Sequence, residues 1–253
     1  MNTAYALLAT FVVGLFILIG YFIVIKTKNN HRIMNFSISI AFGVMSALAL
    51  LELLPESYEH LSNGQEPLIT WCYMIFFIVV GICILKFLDI FVPDHHEDEK
   101  KQVDENHLTH IGIVSSVALV LHNIIEGMAI YTSVLSSTTL GLLVCLGVGL
   151  HNIPMGMVIT STFYTSSKNQ KKTLFMISII SISTFIGGLI MMLLNTWITD
   201  FLLGILLSIT TGMIIYIVLF ELLPHVFEHR KEKGTFFGIL LGVITLLVSL
   251  MLG

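Results

Sequence analysis

Eight stretches of this 253-residue chain are each long and apolar enough to cross a bilayer: 4–25, 33–54, 68–92, 110–134, 139–164, 173–195, 200–224 and 235–252. No other feature constrains the fold as strongly. Backbone in hydrocarbon must satisfy every N–H and C=O internally, which leaves only helices and closed barrels. A spanning helix needs about 20 apolar residues, whereas barrel strands show weak alternation over about 10. The runs here are continuous, so the expected fold is an all-α integral membrane protein, a single polytopic domain over residues 1–253 with eight transmembrane helices. Composition agrees: 11% of residues are charged and the mean hydropathy is +0.94, against about 25% charged in a soluble domain. A soluble enzyme of this length needs a charged surface, so that class is excluded, as is a disordered tail. With 12 Lys+Arg against 16 Asp+Glu there is no basic face for nucleic acid. The first run follows no Lys or Arg and exceeds a signal-peptide core, so it reads as a retained span. Cys72, Cys83 and Cys145 fall inside runs and read as small apolar residues rather than a disulfide framework.

The basic residues orient the runs. Lys26, Lys28 and Arg32 lie in the first connection, Lys100 and Lys101 in the third, Lys168, Lys171 and Lys172 in the fifth, and Arg230, Lys231 and Lys233 in the seventh. Eleven of the 12 therefore occupy odd connections, while the even ones carry Glu56, Glu59, Glu66 and Asp200. The positive-inside rule places the odd connections in the cytoplasm and both termini outside. The twelfth, Lys86, lies near the inner end of the third run, where its stem can snorkel or pair with Asp89.

Two internal echoes follow. Phe42 to His60 and Thr211 to His229 share Gly43/Gly212, Glu52/Glu221, Pro55/Pro224, Glu59/Glu228 and His60/His229 at a constant offset of 169. The second run crosses outward and the seventh inward, so runs 1–3 and 6–8 are expected to form an inverted repeat around runs 4–5, a 3+2+3 arrangement typical of alternating-access transporters. The second echo pairs Leu121-His-Asn-Ile-Ile-Glu-Gly-Met with Leu150-His-Asn-Ile-Pro-Met-Gly-Met, near the middle of runs 4 and 5.

A carboxylate at the bilayer centre costs about 2.5–3.5 kcal/mol on insertion scales, so Glu126 needs something to offset that cost. His122, four residues earlier, lies about 40° round the helix and about 6 Å along it, which puts a nitrogen and a carboxylate on one face, a pairing suited to a divalent cation. His151 and Asn152 on run 5 supply a facing nitrogen and oxygen. Pro154 removes a backbone donor and favours a kink, and Gly127 and Gly156 permit close helix approach. The competing view is that these groups only hold helices together; two His-Asn pairs plus one Glu at one depth favour a metal site.

With those motifs in view, the chain resembles the ZIP family of zinc and iron transporters. His122-Asn123-Ile124-Ile125-Glu126-Gly127 is similar to the family's span-4 motif, His-Asn-x-x-Glu-Gly, and His151-Asn152-Ile153-Pro154-Met155-Gly156 to its span-5 motif, His-Asn-x-Pro-Glu-Gly. The resemblance implies a homodimer in the cell membrane that moves a divalent metal ion toward the cytoplasm, zinc first, with iron, manganese or cadmium as alternatives. The ion is a transported substrate, and no resident cofactor is implied. His122, Glu126 and His151 would bind it, with Asn123 and Asn152 beside a second metal. Met155 stands where the family has a metal-bridging Glu, and the sixth run offers Ser181, Ser183 and Thr184 where several relatives have an acid. Met155 is either a fourth, thioether contact, which would favour soft ions, or an apolar packing residue. One carboxylate leaves a divalent ion net positive in low dielectric, so weaker zinc binding than in relatives is expected.

Glu52 and Glu56 flank Pro55 at the outer end of run 2, with Glu59 and His60 following, and could gather cations at an external mouth. At the inner end of run 7, Glu221, His225, Glu228 and His229 share one helical face and could relay metal inward. Residues 93–109 form a His- and acid-rich cytoplasmic loop, Asp94-His95-His96-Glu97-Asp98-Glu99 with His107 and His110 beyond, read either as weak metal binding or as a charged linker. His31 is read as a loop residue.

An intramembrane enzyme is disfavoured: there is no His-Glu-x-x-His helix, no Gly-x-Ser-x-Gly elbow and no adenine-nucleotide loop. A transport-impaired relative acting as a metal sensor or scaffold is the alternative that Met155 supports. The mechanism expected is rigid-body or elevator-like motion of one helix bundle against another, driven by the ion gradient, the membrane potential or cotransported protons.

Overall fold

A computed structural model describes residues 3–27, 31–62, 64–91, 100–136, 138–194 and 196–252, and no strand occurs among them. Eight helical segments are long and apolar enough to span a membrane, and the apolar runs fall on them: Thr3–Lys26, Met34–Ser62, Pro67–Phe87, Ile113–Leu135, Gly141–Thr165, Gln170–Leu194, Asp200–Glu228 and Lys233–Leu252, here spans 1 to 8. Helix α1 (Thr3–Lys26) is span 1. In span 2, α2 (His31–Leu48) opens into a π turn at Ala49–Leu53 before α3 (Leu54–Ser62). Then come α4 (Pro67–Phe91), α5 (Lys100–Ser136), α6 (Thr138–Ser167) and α7 (Gln170–Leu194). Span 7 repeats the device of span 2: α8 (Asp200–Tyr216), a π turn at Ile217–Leu222, and α9 (Leu223–Glu228). Helix α10 (Lys233–Leu252) closes the chain.

Proline explains both π turns. Pro55 and Pro224 have no N–H, and their rings collide with the carbonyl four residues back in a regular helix. Widening the preceding turn relieves the clash: Leu54 N–H donates to the Ala49 carbonyl and Leu223 N–H to the Val218 carbonyl, five residues back in each case. In contrast, α6 runs through Pro154 without interruption.

The polar stretch 93–109 divides. Asp94, His95, His96, Glu97, Asp98 and Glu99 lie outside the described residues, but Lys100 already begins α5. The expectation of a loop up to residue 109 is therefore corrected: 100–109, with His107, is a helical extension of span 4. Helix propagation from an existing span adds one hydrogen bond per residue ordered, with no new nucleation cost. His31 likewise starts α2 rather than sitting in a loop.

Four spans line the interior. Over an apolar stretch of 18 residues in each, spans 2, 4, 5 and 7 bury between 56% and 67% of the residues, and spans 1, 3, 6 and 8 between 22% and 44%. The peripheral spans turn Phe11, Phe22, Ile75, Phe76, Ile182, Leu193, Phe236 and Leu240 outward, the arrangement expected when the solvent is lipid. Several buried hydroxyls bond within their own helices: Ser57 donates to the Leu53 carbonyl at 2.6 Å, Thr160 to Gly156 at 2.7 Å and Ser208 to Gly204 at 2.7 Å. Lys86 is exposed on span 3, and its expected partner Asp89 lies outside the described side chains.

Four reciprocal glycine pairs set the closest crossings. A Cβ on Gly127 would collide with the Thr184 carbonyl and one on Gly187 with that of Ile124, joining spans 4 and 6. Gly20 and Gly156 do the same for spans 1 and 5, Gly43 and Gly242 for spans 2 and 8, and Gly81 and Gly212 for spans 3 and 7. Without a hydrophobic force between helices in lipid, such backbone contact is what makes association favourable.

Candidate metal centre

Span 4 presents His122 and Glu126 from one face of α5, nine residues from Ile113 and nine from Leu135 respectively, so the pair brackets the middle of the span. Span 5 brings His151 opposite. His151 Nε2 lies 2.7 Å from Glu126 Oε1, and His122 Nε2 lies 3.5 Å from the same oxygen. One ligand atom from each of the three falls within 4.8 Å of the others, and all three residues are buried. Asn152 Nδ2 donates to Glu126 Oε2 at 3.3 Å, which uses the second carboxylate oxygen and fixes the plane of the group. His122 Nε2, Asn123 Oδ1 and Asn152 Oδ1 are buried without hydrogen-bond partners. Such atoms are costly to bury, and a cation is the kind of group that would satisfy them.

The two Asn residues differ in what they face. Asn123 Nδ2 donates to the Ile180 carbonyl of α7 at 3.1 Å, a helix-to-helix tie, whereas Asn152 belongs to the carboxylate. Ser181, one of the span-6 hydroxyls, donates to the Gly14 carbonyl of α1 at 2.8 Å and ties two helices, whereas Ser183 donates to Ile180 of its own helix at 2.6 Å. Met155 is 1% exposed and belongs to the apolar core that includes Ile17, Met45, Leu48 and Ile159.

Sequence reasoning missed Ser249. Its Oγ lies 3.2 Å from His151 Nδ1, so span 8 orients the ring from behind. A serine hydroxyl both donates and accepts and can therefore support either imidazole tautomer. A lone serine in an apolar span carries no signal in the sequence.

A cavity of about 240 Å³ leads away from the site. Its walls include Glu52, Glu56, His60, His122, Glu126 and Ser249. His60 lies 3.8 Å from Asp200, at the end where span 2 stops and span 7 starts, so the cavity runs toward the face that holds both termini. On the other side of the site the core is packed with Ala118, Leu119, Val158, Ile159, Met213 and Ile217.

At the opposite face, the four residues named on span 7 differ in burial. Glu221 and His225 are buried, His229 is half-buried, and Glu228 is exposed. Glu228 ends α9, where solvent replaces packing. The His225 and His229 rings stack with centroids 4.5 Å apart. Two residues that sequence reasoning passed over complete this cluster: His225 Nε2 lies 3.2 Å from Asn35 Oδ1, and Asn35 Nδ2 donates to Glu232 at 3.3 Å. Spans 2 and 7 and the turn that leads into span 8 are tied there.

The profile of the family described as "ZIP Zinc transporter" matches residues 2–117 and 92–250. The chain is 32% identical over 265 residues to the protein named Zinc transporter ZupT of Chlorobium phaeovibrioides, covering 100% of this chain and 99% of that relative. It is 30% identical to the protein of the same name from Clostridium perfringens, over 99% of this chain and 96% of the relative. With the one from Chlorobium chlorochromatii it shares 28% over 99% and 98%. These matches run from end to end, through both His-Asn motifs and all eight spans, and this multi-pass membrane protein belongs to the ZIP family, whose members are transporters and not enzymes.

Proposed function

We propose that this protein carries divalent transition-metal ions, zinc foremost, across the cell membrane toward the cytoplasm through a midplane site made by His122, Glu126 and His151. The observation that carries this reading is the convergence of two imidazole nitrogens and a carboxylate within 4.8 Å, buried near the middle of two facing spans. Nitrogen-plus-carboxylate sets suit zinc and its first-row neighbours. Asn152 holds the carboxylate and Ser249 the His151 ring, the outer support that ligating groups need. Met155, in the apolar core, is a packing residue in this reading.

With the positive-inside orientation, the face holding both termini is extracellular, the cavity is the outward path past Glu56 and Glu52, and the packed side is the closed cytoplasmic gate. The inverted repeat belongs to the same proposal, and several features support it. The two π turns make equivalent bonds at an offset of 169, Leu54 to Ala49 and Leu223 to Val218. Exchanging spans 1, 2, 3 and 4 with 6, 7, 8 and 5 maps the 1–5 glycine crossing onto 6–4 and the 2–8 crossing onto 7–3. Two related halves provide two packings of similar energy, which alternating access requires. The homodimer rests on the resemblance alone.

The test is uptake of radioactive zinc into proteoliposomes. His122→Ala should abolish saturable uptake while the protein still folds. Zinc binding without flux in the parent protein would favour the sensor or scaffold instead, a reading the relatives' names do not favour.

A further inference from the structure

We propose that Glu52 supplies the second carboxylate of the transport site, replacing the charge that Met155 omits from span 5. This rests on the reading of His122, Glu126 and His151 as the metal site.

The need is electrostatic. Glu126 alone leaves a divalent ion net positive in a low-dielectric interior, where uncompensated charge is costly. Span 5 cannot supply the missing carboxylate, because Met155 occupies the place and is packed in the apolar core. Span 6 offers hydroxyls, two of which are committed to helix carbonyls.

Glu52 meets the requirement in three ways. It lines the same cavity as His122 and Glu126. Its carboxylate is close enough to His151, Glu126 and His122 to interact electrostatically with each. Its Oε2 is buried and has no hydrogen-bond partner. A structural glutamate in a membrane span is paired, as a rule, with a cationic side chain or a donor. The even connections, toward which Glu52 faces, contain no Lys or Arg. Glu52 also lies within the π turn imposed by Pro55, and single π turns recur at functional sites in helices. Glu56, one turn farther out and exposed, remains a cation-gathering group at the mouth.

The proposed site is therefore assembled from three spans instead of two, with carboxylates from spans 2 and 4 and imidazoles from spans 4 and 5. Glu52 lines the cavity outside the 4.8 Å group of His122, Glu126 and His151 and has to approach them to bind the ion. Closing span 2 onto the ion would couple binding to movement of the first repeat, since a bound cation relieves the repulsion between Glu52 and Glu126.

Equilibrium zinc binding to the purified full chain in detergent, by calorimetry, tests this with Glu52→Gln, Glu52→Gln/Met155→Glu and His122→Ala. The expected result is an affinity loss of at least about tenfold for Glu52→Gln, a floor for one unit charge within a few ångströms of a divalent ion in a cavity that water reaches. Adding Met155→Glu should recover most of it by restoring the carboxylate from span 5. If Glu52→Gln binds zinc as the parent does while His122→Ala does not, the proposal is wrong and the three-residue site stands. If neither substitution changes binding, both readings fail together. A slower uptake rate at unchanged affinity would also overturn it, since it would reduce Glu52 to steering ions at the mouth. Should Glu52→Gln not fold, anomalous scattering from zinc-soaked crystals of the parent decides: a Glu52 oxygen within the zinc ligand shell of about 2.0–2.2 Å is expected, and its absence from that shell refutes the proposal.

Discussion

Removing the Ser249 hydroxyl is expected to weaken zinc binding about tenfold without unfolding the protein. The hydroxyl lies 3.2 Å from His151 Nδ1, and His151 is fully buried, so Ser249→Ala removes the side-chain partner of that nitrogen. Leaving a buried polar atom unpaired costs about 1–3 kcal/mol. Loss of a group that orients a metal-binding imidazole typically costs about 10–100-fold in affinity, or about 1.4–2.8 kcal/mol, so two independent lines agree. Part of the penalty is common to the metal-free and metal-bound states and cancels, which puts the affinity loss at the lower end. The surviving part arises because a metal-bound ring is polarised and donates more strongly through its other nitrogen. The assay is zinc calorimetry on purified protein, with Ser39→Ala as control. The Ser39 hydroxyl bonds to the Asn35 carbonyl of its own helix, at 2.7 Å, and its loss should leave zinc affinity unchanged. A change of less than about threefold in a folded Ser249→Ala protein would refute the orienting role, since it falls below even the lower bound of the effect.

The other expectations concern packing, protons and the opposite face. Gly127→Val drives a side chain into the Thr184 carbonyl and should cost about 1–3 kcal/mol of overpacking, seen as a lower Tm in detergent. Gly234→Ala, which meets nothing within 4 Å, should not lower it. Zinc affinity should fall on acidification, because the ion binds the deprotonated forms of His122, His151 and Glu126 and protons compete for them. A dye competition titration between about pH 5.5 and pH 7.5 checks this, and an affinity independent of pH would remove histidine from the ligand set. Asn35→Ala cuts the ties from span 2 to His225 and to Glu232. Amide exchange should then quicken in residues 225–235 through local opening, and unchanged protection there would mean that the ties do not hold the opposite face closed.

The sequence alone determined the class, the number of spans and the side-chain types that meet at the candidate site, and the reason is local. Whether a segment can lie in hydrocarbon depends on its own 20 residues, and the i, i+4 relation of His122 and Glu126 depends only on helix geometry. The repeated Glu-Leu-Leu-Pro was legible for the same reason, although the π turn each proline imposes was not anticipated. Tertiary structure decided everything that depends on two spans meeting. The 2.7 Å contact between His151 and Glu126, separated by 25 residues, follows from the crossing of spans 4 and 5. Ser249 reaches the same ring from 98 residues away, and Asn35 reaches His225 from 190. Rotation about the helix axis separated residues that read alike: Asn152 turned to the carboxylate and Asn123 to a backbone carbonyl, with both motifs spelled His-Asn. In a bundle where lipid supplies no hydrophobic drive between helices, glycine contacts and buried polar pairs set which faces meet. Those pairings lie far apart along the chain, so its local pattern carries no record of them.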